Sequence, residues 1–211
     1  SHEIPYGHRI HVRGIVTRSE PGSLVWIRDG ASGLRIQATQ TDKLKPGDEI
    51  DVLGFPGYGS SIPVLEDAIY RKSGMSAPPV PLTLTNPADA YDHQDDLVII
   101  KATLTDIQPV LPGLALTLKQ DDTVFKAILK EPINPNQQPD WQAGSIVRVA
   151  GICDVIFDDS KPVMGIWHPQ SFQILLRSQA ELNTENATPW WTAEHVLLLL
   201  GIIIGILFVA G

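Results

Sequence analysis

Short apolar runs, each closed by turn-forming residues, dominate the first 175 positions of the chain. Runs at Arg9–Thr17, Leu24–Arg28, Leu34–Gln37, Asp48–Gly54 and Ile62–Tyr70 alternate or cluster apolar and β-branched residues, a pattern that predicts strands. The breaks, at Glu20-Pro21-Gly22-Ser23, at 29–33 and at Lys45-Pro46-Gly47-Asp48, hold residues that preset or permit turn dihedrals.

The same order returns in the second half. Leu97–Thr105, Leu114–Lys119, Thr123–Leu129, Ser145–Gly151 and a run from Val163 to Leu175 read as strands again. Gly47 and Gly144 share an offset of 97 residues with Gly54 and Gly151, while the opening strands align nearer 88, from Gly14 to Ala102. Loop length therefore differs between the copies. Between them, Gly74–Pro81 is a proline-rich, stiff connector, and Asn86-Pro87 marks the start of one helical turn.

The pattern changes at the end of the chain. Residues 196–211 carry no charge and no hydrogen-bonding side chain, which predicts a transmembrane helix. Sixteen residues rise ~24 Å of the ~30 Å hydrocarbon layer, so the helix is expected to continue past Gly211. A buried core helix is the alternative. Trp190 and Trp191 suit the membrane–water boundary, and the Gly201/Gly205 spacing permits close helix approach and a homodimer. Glu181, Glu185 and Glu194 precede the run with no Lys or Arg across 178–195, which is expected to orient residues 1–195 outside the cytoplasm. Because the chain begins Ser1-His2-Glu3, a signal peptide or first helix is expected to have been removed.

The domain organisation expected is a first β-domain at 1–75, a connector with a short helix at 76–96, a second β-domain at 97–178, a juxtamembrane linker at 179–195 and the membrane helix at 196–211. Charge bears on partners. The net charge is −8, with Lys/Arg and Asp/Glu balanced over 1–75 and acids in excess over 76–211. A phosphate-binding surface asks for the opposite sign, so nucleic acid is disfavoured. A single cysteine, Cys153, excludes an intrachain disulfide.

Three segments carry a resemblance. Val12-x-Gly14-x-Val16, Ile27-x-Asp29-Gly30-x-x-Gly33-Leu34-x-Ile36 and Leu44-x-Pro46-Gly47-Asp48-x-Ile50-x-Val52-x-Gly54 together resemble OB-fold domains. The second copy has Gln120-Asp121-Asp122-Thr123 where the first has its Gly-rich turn. The resemblance implies an all-β fold of two tandem OB-fold-like five-stranded barrels followed by one C-terminal transmembrane helix. That arrangement resembles the extracytoplasmic sensor regions of bacterial histidine kinases and diguanylate cyclases. It implies a membrane-anchored receptor for an unknown small molecule or periplasmic protein, passing a signal through the helix. A membrane-tethered envelope assembly module and a single-stranded nucleic-acid binder are the alternatives.

OB-folds commonly bind across their second and third strands. Alternation places Val25 and Ile27 on one face and Trp26 and Arg28 on the other, with Arg35 and Gln37 beside them and His11 and Arg13 added from the first strand. One aromatic among cations suits a planar or anionic ligand. The competing reading packs Trp26 against the second domain and pairs the arginines with acids such as Asp29 or Asp51. Two oxygen-rich clusters, Asp154/Asp158/Asp159/His168 and Asp92/His93/Asp95/Asp96, lack a recognised calcium or zinc spacing, so no metal or other cofactor is expected. Cys153 reads as a small buried hydrophobe, with His168 as the only base in its copy, so no catalytic residue is assigned.

Overall fold

The computed structural model describes residues 7–30, 32–59, 62–133, 141–157 and 168–186. The segment 187–211, with Trp190, Trp191, Gly201 and Gly205, lies outside the described residues, as do Asp158 and Asp159. Among the described residues no helix is long and apolar enough to cross a membrane, and these residues form an all-β fold of two five-stranded barrels.

The first barrel comprises β1 (Ile10–Glu20), β2 (Leu24–Asp29), β3 (Ser32–Gln37), β4 (Asp48–Gly59) and β5 (Ile62–Met75), closed in the order β1-β2-β3-β5-β4. β3 and β5 run parallel and the other neighbours antiparallel. Strand β1 serves two partners. Ile10–Ile15 pairs with β4, and Ile15–Glu20 pairs with β2 across a register shift between Val16 and Arg18. The inward set Val16, Val25, Ile27, Ile36, Ile50, Val52 and Leu65 fills the interior, as period-two alternation requires of a closed barrel.

After the connector come β6 (Leu82–Leu84) and one 3-10 turn at Pro87–Asp92, where Asn86 accepts a hydrogen bond from the Ala88 amide at 3.0 Å. The second barrel comprises β7 (Leu97–Val110), β8 (Gly113–Gln120), β9 (Thr123–Leu129), β10 (Ile146–Phe157) and β11 (Pro169–Leu176), with β10 pairing back onto β7. Its β9 and β11 again run parallel. β6 extends the sheet beside β7, and β12 (Leu182–Asn186) lies against β10.

The repeat in the sequence is a repeat in space. Gly47 and Gly144 both precede the fourth strand of their barrel with φ of +95° and +91°, where a side chain would strain the turn. The second core is larger, with Phe125 stacked on Phe172 at 4.7 Å and Tyr91 from the 3-10 turn edge-on to Phe172 at 5.6 Å.

Candidate functional site

The face formed by β2 and β3 of the first barrel is occupied by the second barrel. Trp26 is only 1% exposed and packs with Leu97, Ile152 and Leu175, which come from β7, β10 and β11. Its indole nitrogen donates to Asp95 Oδ1 at 2.9 Å, satisfying a polar group that burial would otherwise penalise. Arg35 donates to the same Asp95 oxygen from Nε at 2.9 Å and from Nη2 at 2.7 Å, and Nη2 also reaches Asp154 at 2.6 Å. The guanidinium carbons of Arg18 and Arg35 each lie 5.6 Å from the Trp26 ring centroid.

Burial pushes the Asp95 carboxyl above its ordinary value, with Arg35 and the Trp26 N–H pulling the other way. Burial lowers the Arg35 guanidinium, but Asp95 and Asp154 outweigh it and hold the group above its ordinary value. The backbone meets as closely as the side chains. The Gly33 amide donates to Asp96 Oδ1 at 2.6 Å, and a Cβ on Gly33 would stand 2.1 Å from the Asp95 carbonyl oxygen. A reciprocal clasp closes the edge of the seam: Arg18 donates to the Leu176 carbonyl, and Arg177 donates to the Thr17 carbonyl at 3.2 Å.

The six residues expected to share one ligand face therefore do not. Trp26 and Arg35 lie in the seam. Arg28 donates to the Gly30 and Val80 carbonyls at 3.2 and 3.3 Å, tying β2 to the connector, and Gln37 is exposed. His11 and Arg13 sit on the half of β1 paired with β4, opposite Leu53 and Asp51, whereas Trp26 lies opposite Arg18. Strand alternation fixes which way a side chain points but not which neighbour a long curved strand presents along each half. Of the acids weighed for metal binding, Asp95, Asp96 and Asp154 are engaged in the seam and His93 Nδ1 lies 3.0 Å from Asp96. His168 is exposed. The Cys153 thiol is buried, donates to the Ala90 carbonyl at 3.3 Å and is pushed up to about 12 by burial.

The free face of the first barrel runs across β1, β4 and β5. The Asp51 side chain, 6% exposed, is met by Arg13 Nε at 2.9 Å, Arg71 Nη2 at 3.3 Å and His11 Nε2 at 3.4 Å. The hydrogen bond from Arg13 and the charges of Arg13 and Arg71 hold the Asp51 carboxyl below its ordinary value against its desolvation. Two arginines and a histidine thus converge on one carboxylate, while Arg9 at the same edge pairs with Asp67 at 3.1 Å. Beside it, Arg9 stands 5.1 Å over the Phe55 ring, and Leu53 and the half-exposed Ile69 complete a cleft of about 310 Å³ with His11, Asp51 and Arg71. This stripe escaped the reading of the sequence because its members come from three strands, although His11 and Arg13 already marked its edge.

The fold and these surfaces define a tandem of OB-like barrels. No family model matches the chain, and no curated protein sequence matches it. Among solved structures it is similar to the Ifi202 HINa domain in complex with dsDNA, at 11% identity and TM-score 0.40, over 84% of this chain and 96% of that one. It is also similar to a murine DNA-binding protein bound to dsDNA, at 10% identity and TM-score 0.39, over 83% of this chain and 97% of that one. A replication protein A heterotrimer bound to ssDNA matches at 11% identity and TM-score 0.34, over 92% of this chain and 52% of that chain.

These findings correct two expectations. The three neighbours named above are complexes with DNA, and none is described as the sensor of a histidine kinase or diguanylate cyclase, so the sensor reading is withdrawn. The expectation that nucleic acid is a disfavoured partner is withdrawn with it. At TM-scores of 0.40 and below the likeness carries no argument about this chain's own ligand, so the function is argued from its surface.

Proposed function

We propose that the tandem barrel is a nucleic-acid-binding module that takes a single strand across the outer β1–β4–β5 face of its first barrel. The observation that carries this reading is the convergence of Arg13, Arg71 and His11 over one buried carboxylate, with Arg9 and Phe55 alongside. Arginines offer forked donors to phosphate oxygens, and Phe55, Leu53 and Ile69 offer apolar surface to a base. The overall charge of −8 opposes a phosphate chain except where cations gather locally, as they do at this stripe. The usual OB face of the first barrel is closed by Trp26 and the second barrel.

The test is fluorescence anisotropy of a labelled oligothymidylate against salt concentration. Three arginines contacting phosphates give a slope of about −2 in log affinity against log salt for a single strand. Arg13→Ala with Arg71→Ala should flatten it to about −0.7. Absence of saturable binding at low salt, or an unchanged slope in the double variant, refutes the proposal.

A further inference from the structure

A cleft of about 560 Å³ opens on the outer face of the second barrel, over β7, with β6 and β8 on one side and β10 and β12 on the other. Alternation along β7 buries Val98, Ile100 and Ala102 and turns Ile99, Lys101 and Thr103 outward onto the cleft floor. Cross-strand partners share a face, so register brings Arg148 beside Lys101, Ile146 and Lys119 to either side of Thr103, and Thr83 beside Ile99. The Gln120 side-chain amide donates to the Thr85 carbonyl at 2.7 Å and ties the residue after β6 to the end of β8.

The internal repeat sets the charge of this face apart. In the first barrel the cross-strand pair at this register is Arg13 with Asp51, a cation facing a carboxylate; in the second it is Lys101 with Arg148. Like charges directly opposite one another destabilise a sheet. Glu185 from β12 partly offsets them, meeting Lys101 Nζ at 2.5 Å and Arg148 Nε at 3.3 Å. Lys119 has no such partner: it is exposed, lines the cleft and makes no ion pair or side-chain hydrogen bond among the described residues. The lining therefore sets three cations, Lys101, Lys119 and Arg148, against two carboxylates, Asp121 and Glu185. The cations are reachable from solvent, with the side chains of Lys101 and Arg148 58% and 47% exposed.

We infer that this cleft binds the phosphate monoester of a small polyol, a sugar phosphate. The phosphate sits among Lys101, Lys119 and Arg148 over the Thr103 hydroxyl, and the hydroxyl-bearing carbon chain lies along Ile99 and meets the hydroxyls of Thr83 and Thr85. A dianion with several acceptor oxygens is matched by charged donors converging from three strands, and the alcohol groups of the ligand find partners in the threonines. Among the described residues no aromatic side chain lines the cleft, so a nucleobase has nothing to stack on, in contrast to the face that carries Phe55.

The experiment is calorimetric titration of the full chain, in phosphate-free buffer of low ionic strength, with glycerol-3-phosphate, ribose-5-phosphate and glucose-6-phosphate, and with inorganic phosphate and ribose as one-ended controls. At least one ester should bind saturably and about tenfold more tightly than inorganic phosphate, with ribose not binding. Arg148→Gln and Lys119→Gln should each weaken ester and phosphate about tenfold, the loss of one charge-assisted hydrogen bond, whereas Thr83→Val should weaken the ester alone. Glu185→Gln removes the competing carboxylate and should tighten both about two- to fivefold, a gain that no folding defect can imitate. Failure of every ester to bind at millimolar concentration overturns the inference, as do equal affinities for ester and inorganic phosphate, or binding indifferent to these substitutions. Weakened oligothymidylate binding in Lys119→Gln would assign the cations to nucleic acid and overturn it too. Unchanged oligothymidylate binding in Lys119→Gln, with ester binding retained in the Arg13/Arg71 variant, would support a separate site.

Discussion

Gly33→Ala should pry the two barrels apart. Gly33 lies in β3, and an added Cβ would stand 2.1 Å from the Asp95 carbonyl oxygen, 2.4 Å from its carbon and 2.8 Å from the Asp96 nitrogen. All three atoms are backbone, so no rotamer change relieves the overlap. Forcing one methyl group into a packed contact costs ~1–3 kcal/mol, and displacing the 2.6 Å hydrogen bond from the Gly33 amide to Asp96 adds ~1 kcal/mol. A loss of about 3 kcal/mol lowers Tm by roughly 6–12 °C in a chain of this size. Urea unfolding of Gly33→Ala and of the exposed neighbour control Ser32→Ala measures the difference, and tryptophan emission compared with a Trp26→Phe reference reports wetting of the seam. A change below about 0.5 kcal/mol with unaltered Trp26 emission would refute the docking geometry, since surface substitutions fall in that range.

Three further outcomes follow from the same contacts. Asp48, hydrogen-bonded by Lys72 and the Lys45 amide, and Asp51, held by Arg13, both have lowered carboxyl values. Their stabilisation is present above the ordinary carboxylate range and is lost as pH falls below about 4, so acid titration by circular dichroism should show Lys72→Met already weakened at neutral pH and less sensitive to acid than the parent. Cys153, with its thiol pushed up to about 12, should resist iodoacetamide at pH 8 in the folded chain and react at once in urea; prompt labelling without denaturant would contradict its burial. Phe172→Ala removes a ring stacked on Phe125 and touched by Tyr91, and should cost ~3–5 kcal/mol by urea unfolding, against little loss for the exposed Val124→Ala.

The strands were legible because alternation and turn chemistry agree locally: Val25, Ile27 and Ile36 point inward as their spacing requires, and the Gly47/Gly144 offset marks equivalent turns in the two barrels. The site was less legible. Trp26 beside Arg28 and Arg35 spells an outward aromatic among cations whether its neighbour is a ligand or another domain, and the acids that meet it and Arg35, Asp95 for both and Asp154 for the arginine, lie far along the chain. The Asp92–Asp96 cluster was visible, but its task of bracketing Arg35, Trp26 and the Gly33 amide depends on how one barrel sits on the other. Likewise, His11 and Arg13 belong to a different face from Trp26 because β1 exchanges partners midway, and the register shift between Val16 and Arg18 leaves no mark in composition.

The arginine stripe rests on β1, β4 and β5 and uses no residue of the second barrel. Loosening the seam by Gly33→Ala should therefore leave oligothymidylate affinity within about twofold of the parent. Titrating both proteins at one salt concentration gives the ratio. A parallel loss would mean that the stripe depends on the seam, and the assignment of nucleic-acid binding to the first barrel alone would then be wrong.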